Sequence, residues 1–200
     1  MLDRAVRRRI DPVLERVAAR LARQGIAADA VTWFGFALGL CAAAAIAADW
    51  RVLALFLLFG NRLCDGLDGA LARLSAPTDR GAYLDIVLDF LFYALFVFAF
   101  AWRDPADALA AAFLILSFVG TGTSFLAHAI FAARHGGAAA TPRKGIAYIG
   151  GLTEGTETIF VFVLMLLLPG HFALLAWIFG ALCWATTASR VVTTLDMLRR

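Results

Sequence analysis

The feature that most constrains this chain is a succession of apolar stretches, each close to the ~20 residues a helix needs to cross a bilayer core. Six follow a basic opening, at about Ala30 to Ala48, Val52 to Leu74, Gly81 to Trp102, Ala106 to Arg134, Ile146 to Leu168 and His171 to Leu195. Hydrophobic residues make up 62% of the chain and charged residues only 16%, against about a quarter charged in a soluble domain. The expected fold is an all-α integral membrane protein in one domain spanning 1–200, with a surface helix over 1–25 and a bundle of six transmembrane helices over 30–195. The basic opening lacks the short apolar segment and cleavage site of a signal peptide. Cys41, Cys64 and Cys183 fall in apolar stretches without paired spacing, so they read as small buried hydrophobes.

Over Met1 to Gln24, Val6, Ile10, Val13, Leu14, Val17 and Leu21 recur at three- and four-residue intervals among seven arginines. This is the pattern of an amphipathic helix with a basic face, suited to anionic headgroups. Gly25 ends it, and Asp29 is positioned to cap the next helix. With the N-terminus inside, one face collects those arginines together with Arg73, Arg80, Arg134, Arg143, Lys144, Arg199 and Arg200, and the other holds only Arg51 and Arg103. The positive-inside rule then puts both termini in the cytoplasm, and a bacterial inner or plasma membrane is the expected location.

An ionised side chain within a span costs roughly 2.5–3.5 kcal/mol, so each needs a reason. The second and third stretches contain Asp65-Gly-Leu-Asp68-Gly69-Ala-Leu-Ala72-Arg73 and, seven residues on, Gly81-Ala-Tyr-Leu-Asp85-Ile-Val-Leu-Asp89. Each aspartate pair shares a helix face, at spacings of three and four. At 1.5 Å per residue the four lie roughly 6–13 Å below the cytoplasmic helix ends, so they can converge in one pocket open to that side. Clustered carboxylates repel unless a cation neutralises them. All-oxygen donors favour Mg²⁺, Mn²⁺ or Ca²⁺, and such sites often clamp phosphate esters with two metals. Gly66, Gly69 and Ala72 remove side-chain bulk for close packing or ligand approach, and Arg73 can hold a phosphate.

Asp65-x-x-Asp68-Gly69-x-x-Ala72-Arg73 followed by Gly81-x-x-x-Asp85-x-x-x-Asp89 resembles the signature of the CDP-alcohol phosphotransferases, also called CDP-alcohol phosphatidyltransferases. The resemblance implies that an acceptor hydroxyl attacks the donor's β-phosphorus and CMP leaves. Asp65, Asp68, Asp85 and Asp89 would ligand Mg²⁺ or Mn²⁺, two ions per site, with Asp89 also the general base. Gly69, Ala72, Arg73 and Gly81 would shape the CDP site, and Thr32 would stand for the family's threonine at the start of the first span. The family's Pro-Asn before it is Ala28-Asp29 here. The implied partners are a CDP-alcohol, foremost CDP-diacylglycerol, a small alcohol acceptor, the bilayer and a second copy in a homodimer. Nucleic acid is not an expected partner.

Other readings stand beside this one. An ion-pair network fails because Arg62 is the one comparably deep cation against four anions. A cation-transport path would spread its acids through the membrane, and a membrane prenyltransferase would carry a second aspartate-rich motif. Glu154 and Glu157, in the fifth stretch, either line the acceptor pocket or pair with Arg190 or Arg62. Arg134, Arg143 and Lys144 either recognise a phosphorylated acceptor or meet headgroups. His128 reads as satisfying a neighbouring polar group, and Gly120-Thr-Gly-Thr-Ser124 as small-residue packing.

Overall fold

A computed structural model describes residues 2–75, 77–134 and 155–199. The described residues form seven α-helices: α1 (Leu2–Arg23), α2 (Ala28–Ala47), α3 (Arg51–Ser75), α4 (Asp79–Arg103), α5 (Ala108–Arg134), α6 (Gly155–Leu167) and α7 (Phe172–Leu198). Single 3₁₀ turns at Pro105–Asp107 and Pro169–His171 precede α5 and α7. The helix bounds fall within a few residues of the apolar stretches. The fifth differs, because its expected first residues, 146–154, lie outside the described segments. Among the described residues, four helical segments are long and apolar enough to cross a membrane: Ala28–Ala47, Asp79–Arg103, Pro105–Arg134 and Pro169–Leu198. Helix α3 matches them in length, but it carries Arg62, Asp65, Asp68 and Arg73. The described part of α6 has 13 residues.

The chain divides into two compact units, Met1–Ala106 and Asp107–Arg200. In the first, α2 packs against both α3 and α4, while α1 lies along α3. Two glycines one helical turn apart on α2 permit this. A Cβ on Gly35 would come within 2.7 Å of Cys64 Cβ on α3, and one on Gly39 within 2.6 Å of Phe92 Cδ2 on α4. Helices in lipid associate through such close packing and the hydrogen bonds it permits. Phe92 begins a buried aromatic ladder on α4, with Phe96 and Phe100 stacked below it at centroid spacings of 5.8 and 5.9 Å.

The amphipathic helix α1 uses its apolar face against protein. Leu14 and Ala18 bury against Val31, Cys64, Leu67, Ala70 and Leu71 of α2 and α3, while Arg16, Arg20 and Arg23 are exposed. Gly25 terminates α1 as the sequence suggests, at φ 75°. The Gly25 amide donates to the Ala22 carbonyl and the Ile26 amide to that of Leu21, satisfying carbonyls left open by the helix end. Asp29 does not cap α2. The N-cap is Ala27, with no side-chain hydrogen bond, and Asp29 sits inside the first turn.

At the other end of α2 the same terminating motif recurs with Asp49 at φ 59° in place of glycine. The Asp49 amide donates to Ile46 and the Trp50 amide to Ala45. An aspartate tolerates this left-handed conformation better than most residues. Its Oδ1 also lies 3.2 Å from Arg51 Nε and 3.4 Å from Arg103 Nη1, so both basic residues expected on that face converge on one carboxylate.

In the second unit α5 packs along α7. Phe113 stacks with Trp177 at 4.4 Å, and Phe118 meets Phe162 of α6 and Phe179 of α7, each at 6.3 Å. Arg190 donates through Nη1 to the Thr121 carbonyl at 2.8 Å and to Ser124 Oγ at 3.3 Å. His128 Nδ1 lies 2.9 Å from Thr194 Oγ1, which supplies the polar neighbour expected for it. The outward surfaces are apolar, with Phe34, Phe56, Leu109, Leu116, Phe160 and Leu174 all more than half exposed, as lipid-facing helices require. Cys64 and Cys183 are buried, but Cys41 is exposed on this outer surface.

Substituting Gly39→Ala forces a methyl into the Phe92 ring, whose position is fixed by full burial. Overpacking of this kind costs ~1–3 kcal/mol. Thermal unfolding in detergent should show a Tm several degrees below that of Gly170→Ala, where a Cβ meets nothing within 4 Å.

Candidate active site

The functional residues gather where α3 and α4 face one another across the N-terminal half of α2. A small cavity of about 20 Å³ is lined by Asp65, Asp68, Asp85 and Asp89, and by Thr32, Asn61 and Arg62. That volume holds roughly one water-sized occupant. The sequence expectation that all four aspartates reach one pocket is met.

How they are held was not expected. Arg62 reaches across from α3, and its Nη2 donates to Asp89 Oδ1 at 2.7 Å. Its Nη1 lies 3.7 Å from Asp65 Oδ1 and 3.4 Å from the Tyr93 hydroxyl. Its Nε donates to Asn61 Oδ1 at 2.7 Å, while Asn61 Nδ2 donates to the Gly35 carbonyl at 2.8 Å. The guanidinium carbon stands 4.9 Å above the centre of the Phe92 ring. Among the described residues, no three acidic, histidine or cysteine side chains converge tightly enough to share one ion. Asp65 and Asp89 turn toward the guanidinium instead, which relieves repulsion between carboxylates on facing helices.

A cleft of about 660 Å³ adjoins this cavity and shares Thr32, Asp68 and Asp85 with it. Its other walls include Gly69, Ala72, Ser75, Thr78, Arg80, Gly81 and Asp29. Volumes of this order are typical of small-molecule sites. The start of α4 opens on it, and Thr78 Oγ1 caps that helix by accepting from the Gly81 amide at 3.1 Å. A helix N-terminus there offers amides and a positive dipole to an anionic group. Arg80 Nε lies 3.2 Å from Asp29 Oδ2, linking the starts of α2 and α4. Arg73 is exposed at the end of α3, and its Nη1 would be 3.6 Å from a Cβ on Gly69. Thr32 lines both spaces and donates its hydroxyl to the Ala28 carbonyl at 3.1 Å.

The three small residues of the signature separate in role. Gly66 faces away from the cleft, where a Cβ would meet Leu14 Cδ1 of α1 at 2.8 Å, so it serves packing. Gly69 and Ala72 border the cleft.

Of the residues considered for an acceptor, Glu154, Arg143 and Lys144 lie outside the described residues. Arg134 ends α5 with its guanidinium 5.8 Å from the centre of the Phe131 ring. Glu157 lies in the first turn of α6, and its Oε2 is buried with no hydrogen-bond partner among the described residues. The sequence reading assigned Tyr93 no role, counted Arg80 only toward the charge asymmetry, and did not join Asn61 to Arg62. Asn61-Arg62 within an otherwise apolar run was the available signal, since a polar pair at membrane depth demands partners.

The metal expectation can be weighed on these donors. The carboxylate oxygens of two helices border one ion-sized cavity, and four formal negative charges there exceed the single charge of Arg62. Such an all-oxygen set is of the kind a hard divalent cation takes.

A sequence model of the CDP-alcohol phosphatidyltransferases matches residues 25–191. "Inner membrane protein YnjF" of Escherichia coli is 50% identical, with all of each chain covered. "Archaetidylinositol phosphate synthase" of Pyrococcus horikoshii is 33% identical over 48% of this chain and 52% of its own. The structure titled "Crystal structure of Mycobacterium tuberculosis phosphatidylinositol phosphate synthase (PgsA1) with CDP-DAG bound" matches with TM-score 0.69 over 92% of this chain and 94% of that one. At 18% identity it speaks to the fold alone. With the family's sequence pattern spanning α2 to α7, the chain belongs to the CDP-alcohol phosphatidyltransferase family and is a transferase of phosphate-containing groups.

Proposed function

We propose that this enzyme transfers a phosphatidyl group from CDP-diacylglycerol to a small hydroxyl-bearing acceptor, releasing CMP, in phospholipid synthesis. The observation that carries this reading is the junction of the two spaces. Thr32, Asp68 and Asp85 belong both to the aspartate cavity and to the cleft at the α4 N-terminus. A pyrophosphate can therefore lie in the cleft with one end against the carboxylate cluster. The mycobacterial phosphatidylinositol phosphate synthase of like fold has CDP-DAG bound, which supports the choice of donor.

Asp65, Asp68, Asp85 and Asp89 would hold Mg²⁺ or Mn²⁺, up to two ions. When bound, the metal would neutralise the pyrophosphate and the charge that grows on departing CMP. Gly69 and Ala72 leave the cleft wall without bulk, Gly81 presents its helix-start amides, and Arg73 offers a fork of N–H donors to phosphate oxygens. The acceptor oxygen bonds to the β-phosphorus as the anhydride P–O bond breaks. CMP leaves with the electron pair, and the hydroxyl proton passes to the Asp89 carboxylate.

The setting belongs to the same proposal: six membrane crossings in one domain over 1–200, with α3 and the segment containing α6 completing the count. Both termini and the cleft face the cytoplasm across a bacterial inner membrane, and the enzyme works as a homodimer. Charge asymmetry supports the orientation. Glu157 Oε2, buried and without a hydrogen-bond partner among the described residues, supports a role for Glu154 and Glu157 in holding acceptor hydroxyls or an amine. Arg134, Arg143 and Lys144 would meet a phosphate on the acceptor.

Purified protein in detergent with Mg²⁺, CDP-diacylglycerol and a panel of polyols, phosphorylated polyols and amino alcohols should release CMP with at least one acceptor. Silence across the panel defeats the reading. Asp85→Asn should lower CMP release by about 10²-fold at unchanged protein yield, the upper end of what disturbing even the groups that support a metal's ligands costs; EDTA should abolish it and added Mn²⁺ restore it. Glu157→Gln should raise the acceptor KM while leaving the donor KM in place. A fall in yield with both KM values unchanged would make Glu157 structural.

A further inference from the structure

Arg62 lines the aspartate cavity yet forms no part of the signature Asp65-x-x-Asp68-Gly69-x-x-Ala72-Arg73. Its side chain is only 16% exposed. The guanidinium is held on several sides: Asn61 and Asp89 accept its shortest hydrogen bonds, Tyr93 and Asp65 lie beside Nη1, and the Phe92 ring lies 4.9 Å from its carbon. The cradle is itself fixed, because Asn61 is tied to the Gly35 carbonyl on α2 and Phe92 is packed against Gly39. The group is thus positioned by three helices, and it bridges one carboxylate from α3 and one from α4.

This cation stands where a second cation is expected. The cavity has room for about one small occupant. A divalent ion seated on Asp65 and Asp89 would lie within a few ångströms of the guanidinium, where like charges repel strongly at low dielectric. Leaving the carboxylates with neither partner is also costly, since an uncompensated buried charge destabilises the fold.

We propose that Arg62 is an internal counter-ion for the aspartate site, holding Asp65 and Asp89 until a divalent ion binds and giving up Asp89 when it does. The chain's own guanidinium and the metal compete for the same carboxylate. Arg62 is then a positioning residue that lowers metal affinity and keeps α3 and α4 in register without metal. The inference rests on the metal reading above.

Competition is measured without turnover, by titrating detergent-purified protein with Mn²⁺ and following free Mn²⁺ by electron paramagnetic resonance. Arg62→Met keeps the length and the packing on Phe92 but removes the charge. It should bind Mn²⁺ about tenfold more tightly than wild type, as expected when a desolvated cation no longer opposes the ion. It should also melt several degrees lower in EDTA and recover on adding Mn²⁺. Arg62→Lys, which keeps a charge but loses the fork to Asn61 and Asp89, should fall between the two, and serves alone if the methionine variant does not fold. Unchanged or weaker Mn²⁺ binding in these variants, with binding lost in Asp85→Asn, overturns the competition while leaving the metal reading intact. Absence of Mn²⁺ binding in wild type overturns the metal reading, and the inference with it.

Discussion

Charge placed in an apolar helical layer has to be neutralised close at hand, and the first unit is arranged around that requirement. Asp65, Asp68, Asp85 and Asp89 bring four carboxylates to one small cavity, and Arg62 answers two of them. The guanidinium can do so because of a chain of packing that begins two helices away. Gly39 lets Phe92 approach α2, Phe92 supports the underside of Arg62, and Gly35 offers the carbonyl that orients Asn61. Small residues on α2 therefore act on the electrostatics of α3 and α4, although α2 contributes only Thr32 as a polar side chain to the cavity.

Asn61 is buried and Arg62 and Asp89 half-buried on the aspartate cavity, while Thr78 and Arg80 on the cleft wall are exposed. The α1 helix backs this arrangement: Leu14 occupies the groove left by Gly66, on the side of α3 turned from the cleft. A helix with the composition of a membrane-surface anchor is thus also part of the packing behind the signature.

The fold was legible where periodicity and charge agreed. Apolar runs bounded by short polar connections gave α2 to α5 and α7 to within a few residues, and Gly25 marked the end of α1. The aspartates could be placed together because spacings of three and four fix a helix face and the rise per residue fixes depth. What spacing could not supply was the partner of each charge. Arg62 was visible as a deep cation, but its choice of Asp89, 27 positions away, depends on how α2 sets the separation of α3 and α4. Asp29 illustrates the opposite failure. It had the right chemistry for a cap, but the helix begins at Ala28 with no side-chain cap, and Asp29 pairs with Arg80 from within the first turn. The Gly35/Gly39 pair was likewise present in the sequence; only the neighbouring Cys64 and Phe92 reveal why bulk is excluded there.

Asp49 has a mechanical consequence for this geometry. By accepting both Arg51 and Arg103, it staples the beginning of α3 to the end of α4 at the turn after α2. Those two rods are each 25 residues long, or about 37 Å at the α-helical rise. For rods of that length joined at one extremity, a splay of about 5° would correspond to a displacement of roughly 3 Å at the far tips. The fulcrum is one carboxylate, at the end far from the substrate-sized opening.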